Sequence, residues 1–336
     1  RFRFINGVPL NEANLDVQVN FLEYWEEKEG KITKRFSWVT DLRVTKGNAY
    51  EIMRCGRARW RIENETFNTL KAHPKIRPTA CDDSYWQKLG KKRPVKHQVR
   101  QTLNATHAYG RRAEVDWLIH IDVDEFLWPQ APLSELLAEL PADTLSARVH
   151  PIEALAGHDN YFKGFIPGGP NRAAVVERLY PTFGHFVKGG FMSHVAGKIF
   201  VRTGLEGIEI RIHNMFVNGE IDNATALDRA ELCHVHAKPW DEWLANYRYR
   251  LEKGSYRADL APAQSRAEGG LTLHELFTLL EAEQGEAGLR EFFDEVCADT
   301  PALRDRLRSE GLLRHCDLHL DGKRRKHFPQ FPDIVA

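Results

Sequence analysis

One stretch of the chain, WLIHIDVDEFLWP over residues 117–129, joins an apolar run to three acids. The run has the length and side-chain branching of a buried strand, and it ends at Asp122, Asp124 and Glu125. Carboxylates this close repel one another, and a hard divalent cation held between Asp122, Asp124 and a phosphate relieves that repulsion. A bare Asp-x-Asp is more often a pair of solvated loop acids. Because large apolar residues flank this one on both sides, we predict that it holds a metal on a nucleotide diphosphate leaving group.

Residues 120–126, HIDVDEF, resemble the signature of bacterial glycosyltransferase family 2-like proteins, and the resemblance covers about residues 80–336. It implies an α/β fold, a truncated GT-A-like mixed sheet in which Asp122 and Asp124 lie at the end of a central strand. It further implies a Mn²⁺ or Mg²⁺ cofactor and transfer of a sugar from a nucleotide-sugar donor to an acceptor hydroxyl. The acceptor, whether a glycan, a lipid-linked group or a protein, stays open. By the same resemblance, we expect Asp124 to be a catalytic residue.

The stretch CHVHAKPWDEW, over residues 233–243, carries a second set of candidate metal ligands. His234 and His236 are two residues apart, which in a strand places both side chains on one face. Neutral imidazoles there would complete the shell of an ion held by the two aspartates. A structural histidine pair, or a zinc site that includes Cys233, are the alternatives, and the zinc site lacks a fourth ligand at a recognisable spacing. The resemblance adds Lys238 as a donor-binding residue.

Further candidate residues are distributed along the same region. A lysine at a strand start, Lys198, would neutralise the leaving phosphate, and the resemblance places it near the metal. The helix over residues 98–109 presents Arg100 and Asn104, which the resemblance places beside ribose or phosphate, with an exposed helix face as the alternative. Glu153 is the nearest later acid that could act as general base toward the acceptor, with a surface acid as the alternative. His213 is read as a surface histidine.

Charge and hydropathy exclude several classes of partner. Lys plus Arg equals Asp plus Glu at 47 each, which makes nucleic acid an unlikely partner and gives no bulk attraction to an anionic membrane. No run of about 18 apolar residues is present, so no transmembrane segment is predicted. Five scattered cysteines fit a reduced compartment. We therefore expect a cytoplasmic protein or one peripheral to the membrane, with the basic segment at 322–329 a solvated tail or an aid to approaching a polyanionic acceptor.

Residues 1–71 have a different character. Two strands at 17–21 and 36–44 predict a β-hairpin, and a basic amphipathic helix is predicted to follow over 48–71. Within it, Arg59 and Glu63 match the C-terminal catalytic helix of IS4-like DDE transposases, and this resemblance implies a fragment of ribonuclease H-like origin. One carboxylate cannot hold two metal ions, so we expect no transposition. Two alternatives to an active transferase are a DNA-binding transposase remnant, using the arginines between residues 54 and 61, and a non-functional fusion that lacks the N-terminal nucleotide-binding elements.

The expected organisation follows from these assignments. It consists of a transposase fragment (residues 1–71), a junction (72–79), a glycosyltransferase-like domain (80–260) and a helical C-terminal extension with a basic tail (261–336). The glycine- and proline-rich segment 157–171 is predicted to be a long loop that selects the acceptor. The alternating residues 208–216 are predicted to form one half-buried strand.

Overall fold

The computed structural model of the chain has mixed α/β architecture, as predicted. It describes residues 1–11, 14–28, 30–54, 79–111, 115–157 and 160–327. The chain divides into two compact units, Arg1–Lys91 with Leu320–Ala336, and Lys92–His319. The sequence-based domain limits at residues 71, 79 and 260 stay predictions.

The first unit contains an antiparallel meander. Its strands are β1 (Phe2–Asn11), β2 (Asn14–Lys28) and β3 (Lys31–Thr40). The predicted hairpin is confirmed as β2 and β3, and β1 is a third strand that sequence analysis missed. Residues 49–54 are helical, and Leu22, Val44, Ala49 and Met53 form the core that joins this turn of helix to the meander.

The rest of the predicted basic helix lies outside the described residues. This includes Arg57, Arg59, Arg61, Glu63 and the junction up to residue 78. The transposase resemblance and the DNA-binding alternative therefore stay predictions. The first unit also contains helix α1 (Asp83–Lys88), whose first turn is capped by the Asp82 carboxylate accepting from the Tyr85 N–H.

The second unit is built on a seven-stranded mixed sheet. Its strands are β4 (Trp117–Ile119), β5 (Glu125–Pro129), β6 (Ser146–Ala154), β7 (Tyr161–Lys163), β8 (Lys198–Arg202), β12 (Thr225–His234) and β13 (Leu313–His315). β6 pairs with β12 along one side, and with β8 and then β7 along the other. β4 extends the sheet beyond β8, β5 extends it beyond β12, and β13 pairs with β7.

Strand direction decides which chain ends meet. β6 and β12 are parallel, β8 is antiparallel to both β4 and β6, and β5 is antiparallel to β12. The carboxyl ends of β4 and β12 and the amino ends of β5 and β8 therefore lie together at one end of the sheet, here called the carboxyl edge. Residues 120–124 cross this edge from β4 on one side to β5 on the other. Ligand sites in α/β sheets gather at the carboxyl ends of strands in the same way.

Helices cover the sheet and form most of the remaining core. They are α2 (His97–Tyr109), α3 (Leu133–Ala138), α4 (Arg172–Leu179), α5 (Trp240–Glu252), α6 (Leu273–Gln284), α7 (Glu286–Val296) and α8 (Pro301–Ser309). The first unit also contains helix α9 (Leu320–His327). α5 to α8 share one hydrophobic core with Leu155, Ile166 and Met192, so the predicted helices after residue 261 pack against the loops beside the sheet. Thr272 forms a capping box with Glu275, and Thr300 caps α8 ahead of Pro301, as its sequence predicts.

Two predicted segments differ in the structure. Residues 208–216 are not one strand, because the Arg211 N–H bonds to the Asn214 carbonyl and turns the chain between β9 (Ile208–Ile210) and β10 (Met215–Val217). A short β11 (Glu220–Ile221) completes this second small sheet. The predicted loop 157–171 contains β7, whose partner β13 lies about 150 residues later in the chain. None of the helices in the described parts of the chain is long and apolar enough to cross a membrane.

Candidate metal centre

The crossing segment after β4 is fixed to the sheet through Asp122. Its carboxylate accepts from Lys198 Nζ at 2.7 Å and from Gln101 Nε2 at 2.8 Å, while its N–H donates to Glu125 Oε2 at 2.8 Å. The Lys198 side chain is fully buried and also lies 3.5 Å from Glu125 Oε2. The first aspartate of the motif is therefore held by an ammonium group at the start of β8, where the sequence predicted that Lys198 would face a phosphate.

The second aspartate meets a predicted partner. His234, the last residue of β12, is in register with Glu125 on β5, and its Nε2 lies 3.7 Å from Asp124 Oδ2. The interaction with the His234 ring lowers the pKa of Asp124 to about 2, against the opposing effect of burial. Asp124 is therefore ionised at neutral pH, and its carboxylate remains about one third exposed. The sequence predicted that these two residues hold the same metal ion, and the pairing of β5 with β12 brings them together in space.

Glu125 is the buried carboxylate of the site. It accepts from His194 Nε2 at 2.7 Å, and its side chain is fully buried. Burial raises the pKa of Glu125, but His194, the Asp122 N–H and Lys198 together bring it below the ordinary value. A charged carboxylate is therefore retained inside the edge of the sheet.

Histidine rings form a row across this edge. The His194 ring centroid lies 4.3 Å from that of His213 and 5.0 Å from that of His234, and the His234 and His236 centroids are 5.2 Å apart. Burial lowers the pKa of His213 to about 4 and that of His236 to about 3. Both are therefore neutral at pH 7. His213, predicted to be a surface residue, is half-buried and bonds to the Gly197 carbonyl at 2.8 Å.

Three of these side chains make one compact set, here called the edge cluster: Glu125, His194 and His234. Among the described residues it is the group of three His, Cys, Asp or Glu side chains placed to hold a metal, with one ligand atom from each within 4.8 Å of the others. The Nδ1 atoms of His194 and His234 are buried and have no hydrogen-bond partner, and Nδ1 of His120, two residues before Asp122, has none either. Buried polar atoms are nearly always bonded, so this edge has unused ligand capacity.

The other predicted residues take different positions. His236 lies beyond the edge cluster, with its Nε2 3.3 Å from an Arg250 nitrogen. Arg100 donates to the carbonyls of Pro94 and Val95, which holds the start of α2. Asn104 is half-buried on the same helix, and Lys238 is half-buried in the turn before α5. Gln101 of α2 reaches the motif by bonding to Asp122, and sequence analysis did not select it.

Glu153 lies in a dry environment next to the site. It forms an ion pair with Lys163 at 3.1 Å, and neither side chain is exposed. We call these two residues the inner pair. Glu153 also accepts from the N–H groups of Met192 at 3.0 Å and Ser193 at 2.7 Å. Burial raises the pKa of Glu153, but Lys163, His236 and the hydrogen bonds from Met192 and Ser193 together outweigh burial and bring the pKa to about 2.

This geometry gives Glu153 a different role from the predicted one. A general base must reach the acceptor hydroxyl with a free oxygen, and both oxygens of Glu153 are engaged away from solvent. They hold the two residues that immediately precede His194. Glu153 therefore fixes the loop that delivers His194 to the edge cluster.

Two cavities are lined in part by the segment that leads to His194. One, of about 240 Å³, is lined by Phe191, Ser193, Ser255 and Arg257, and the Oγ atoms of both serines are buried without a partner. The other, of about 470 Å³, is lined by Arg172 and by Gly169 and Pro170 of the segment predicted to select the acceptor. Lys188 lines both cavities, which therefore adjoin each other.

Comparison of the chain with models of known protein families, with curated proteins and with solved structures gives no match in any of the three.

Sequence reasoning did not select Glu125 or His194 as candidate ligands. Glu125 was visible as the third acid of the motif, but its neighbours Asp122 and Asp124 matched the expected spacing better. His194 stands alone in the polar turn of KGGFMSHVAGKIFVR, four residues before Lys198. A single histidine has no second ligand at a recognisable spacing. The sequence could have indicated His194 only through its position before a strand that begins with a lysine.

Proposed function

We propose that the chain is a metal-dependent glycosyltransferase of GT-A-like fold, which moves a sugar from a nucleotide-sugar donor to an acceptor hydroxyl. One observation carries the proposal. The predicted ligands Asp124 and His234, 110 positions apart in the numbering, lie 3.7 Å apart at the carboxyl edge of a mixed sheet, beside the Asp122–Lys198 pair. This is the edge at which the resemblance expects the donor diphosphate.

The donor atoms present fit a divalent cation. Asp124 is ionised and partly open to solvent, and His234 adds a buried imidazole. Carboxylate oxygen with imidazole nitrogen suits Mn²⁺ better than Mg²⁺, which favours oxygen ligands. A bound ion supplies Lewis-acid stabilisation of the charge that develops on the departing phosphate.

Lys198 and Gln101 act as positioning residues in this proposal. Both bond to the Asp122 carboxylate, at 2.7 and 2.8 Å, and they fix the segment that carries Asp124. Lys198 also places one positive charge at the edge where a diphosphate would lie. The ammonium group of Lys198 already pairs with Asp122 and Glu125. Lys198 therefore orients the segment that carries Asp124 and reduces the negative charge of that segment.

The smaller cavity is the proposed acceptor site. Ser193 lines this cavity and directly precedes His194 in the chain, so the cavity adjoins the edge cluster. Two unpartnered serine hydroxyls and the Arg257 guanidinium offer hydrogen bonds to a ligand rich in hydroxyl groups, while Phe191 and Tyr256 offer apolar surface. Such a mixture of aromatic faces and a few polar groups is typical of sites for small ligands.

The test is isothermal titration of UDP, GDP and dTDP, each with and without Mn²⁺, into the purified chain. We expect metal-dependent binding of at least one diphosphate, at least tenfold weaker in D124N. D116N is the matched control, because Asp116 is an exposed acid immediately before β4. If none of the diphosphates binds a folded chain, or if D124N binds as the unmodified chain does, the transferase proposal is overturned.

A further inference from the structure

We infer that the edge cluster is a transition-metal site in its own right, with Glu125, His194 and His234 as the protein ligands. This differs from the aspartate-based site expected from the sequence, since it uses a different carboxylate and a histidine that the motif does not contain. It also does not depend on a nucleotide, because all three ligands come from the chain itself.

The first support is the geometry. Glu125 begins β5, His194 lies in the loop before β8, and His234 ends β12, so strand pairing fixes two of the three positions. The third is fixed by the inner pair, because Glu153 holds the N–H groups of Met192 and Ser193. One ligand atom from each of the three side chains lies within 4.8 Å of the others.

The second support is unsatisfied hydrogen-bonding capacity. His234 is only 6% exposed, yet its Nδ1 has no partner, and the buried Nδ1 of His194 has none either. An unpaired buried polar group costs about 1–3 kcal/mol. Two such atoms on adjacent rings, beside a buried carboxylate, are better explained by a ligand that takes nitrogen donors than by packing.

The third support is charge. Asp122, Asp124 and Glu125 carry three negative charges and Lys198 carries one positive charge, and all are within ion-pair distance of one another or of the ring of His234. The formal charge of these four side chains is therefore −2. A divalent cation neutralises it, whereas a phosphate or another anion would add to it.

The ligand types narrow the class of metal. One carboxylate with two imidazoles suits Mn²⁺, Fe²⁺, Co²⁺ or Zn²⁺, and is a poor set for Ca²⁺ or Mg²⁺. Three protein ligands leave coordination positions open. Asp124, 3.7 Å from His234 and partly exposed, stands where it can bond to a group that fills one of them.

The experiment uses the full chain, freed of metal by a chelator and with no nucleotide. MnCl₂, ZnCl₂ and MgCl₂ are titrated separately by calorimetry, into the unmodified chain and into H194Q, H234Q and H150Q. His150 is an exposed histidine on β6 and serves as the control. We expect one equivalent of Mn²⁺ or Zn²⁺ to bind at least tenfold more tightly than Mg²⁺. H194Q and H234Q should each lose at least tenfold in affinity, and H150Q should be unchanged.

A second readout reports the ligands of the bound metal directly. Co²⁺ is added to the unmodified chain, and its visible absorption reports ligand type and coordination number. Bands that show nitrogen ligation, and that H150Q retains, support the site. A spectrum of all-oxygen, six-coordinate Co²⁺, or unchanged metal affinity in folded H194Q, overturns it.

The outcome is separable from that of the proposed function. Metal binding that needs His194 but is accompanied by no diphosphate binding sustains this inference and defeats the transferase proposal. Metal that binds only together with a diphosphate, and is lost in D124N but not in H194Q, does the reverse.

Discussion

The inner pair and the edge cluster are two buried polar groups on neighbouring strands, and they are satisfied to different degrees. Lys163 donates to the Val296 carbonyl at 2.7 Å and contacts Glu153, while Glu153 accepts from two N–H groups. In the edge cluster, by contrast, two buried imidazole nitrogens have no partner.

A polar group that supports the fold and a candidate site differ in how many of their hydrogen-bonding atoms are unused. Both groups contain a fully buried glutamate, so burial alone does not distinguish them. The difference lies in unused hydrogen-bonding atoms. Glu153 has no oxygen left for a ligand, and the edge cluster still has donors and acceptors to offer one.

The largest expected effect comes from breaking the inner pair. Lys163→Met leaves Glu153 as an uncompensated buried charge, and this should lower the free energy of unfolding by about 3–5 kcal/mol. Urea denaturation followed by circular dichroism measures it. The matched control is R229A, which breaks an exposed ion pair with Glu139 and should cost less than about 1 kcal/mol. Adding E153Q to K163M should restore part of the loss, and a K163M chain as stable as R229A would contradict the assignment of the inner pair.

Acid should lower the stability of the folded chain in two separate pH ranges, one set by the histidines beside the edge cluster and one by the inner pair. The pKa values of His213 and His236 in the folded chain are about 4 and about 3, below the unfolded value of 6.5. The unfolded chain therefore binds protons first, and stability of the metal-free chain should fall as pH drops from about 6.5 toward 4. In H213Q, the free energy of unfolding should depend less steeply on pH over this range.

The inner pair should respond at lower pH. The pKa of Glu153 is about 2 in the folded chain against an ordinary 4.5. Its stabilising effect is present above pH 4.5 and is lost as pH falls toward 2. Unfolding midpoints measured across pH 2–7 test both ranges, and a single transition range insensitive to H213Q would contradict the separation.

Metal should stabilise the edge cluster but not a chain that lacks His194. At a Mn²⁺ or Zn²⁺ concentration of 100 times Kd, a ligand of the folded state adds about 2.7 kcal/mol. We expect the thermal midpoint of the unmodified chain to rise accordingly, and that of H194Q to rise by no more than about half as much. An equal rise in both chains would place the ion elsewhere.

The smallest effect is expected in the smaller cavity. Ser193→Ala with Ser255→Ala removes two buried hydroxyls that have no partner, so stability should change by less than about 1 kcal/mol, in either direction. Binding of a monosaccharide or oligosaccharide acceptor to the donor complex should weaken measurably. T278A is the control, because the Thr278 hydroxyl bonds only within its own helix. Unchanged acceptor binding in the double variant would remove this cavity from the proposed site.

Much of the local structure could be predicted because it depends on neighbouring residues. α2, α3 and the helices after residue 272 follow from apolar spacing and caps. β6 and β8 follow from short apolar runs. The strand over 208–216 was wrong because the alternation of apolar and polar residues continues through the turn at Arg211–Asn214, and β1 was missed because it lies in a region of weak pattern.

The sequence by itself determined the two halves of the candidate site, the acids of HIDVDEF and the histidines of CHVHAK, because each half is a short contiguous motif with its own spacing. Only the tertiary structure decided which members meet. The antiparallel pairing of β5 with β12 brings Asp124 and Glu125 to His234 and leaves His236 with Arg250. The anchoring of a loop by Glu153 adds His194. Pairing register and buried anchoring join residues far apart in the chain, and no local spacing encodes them.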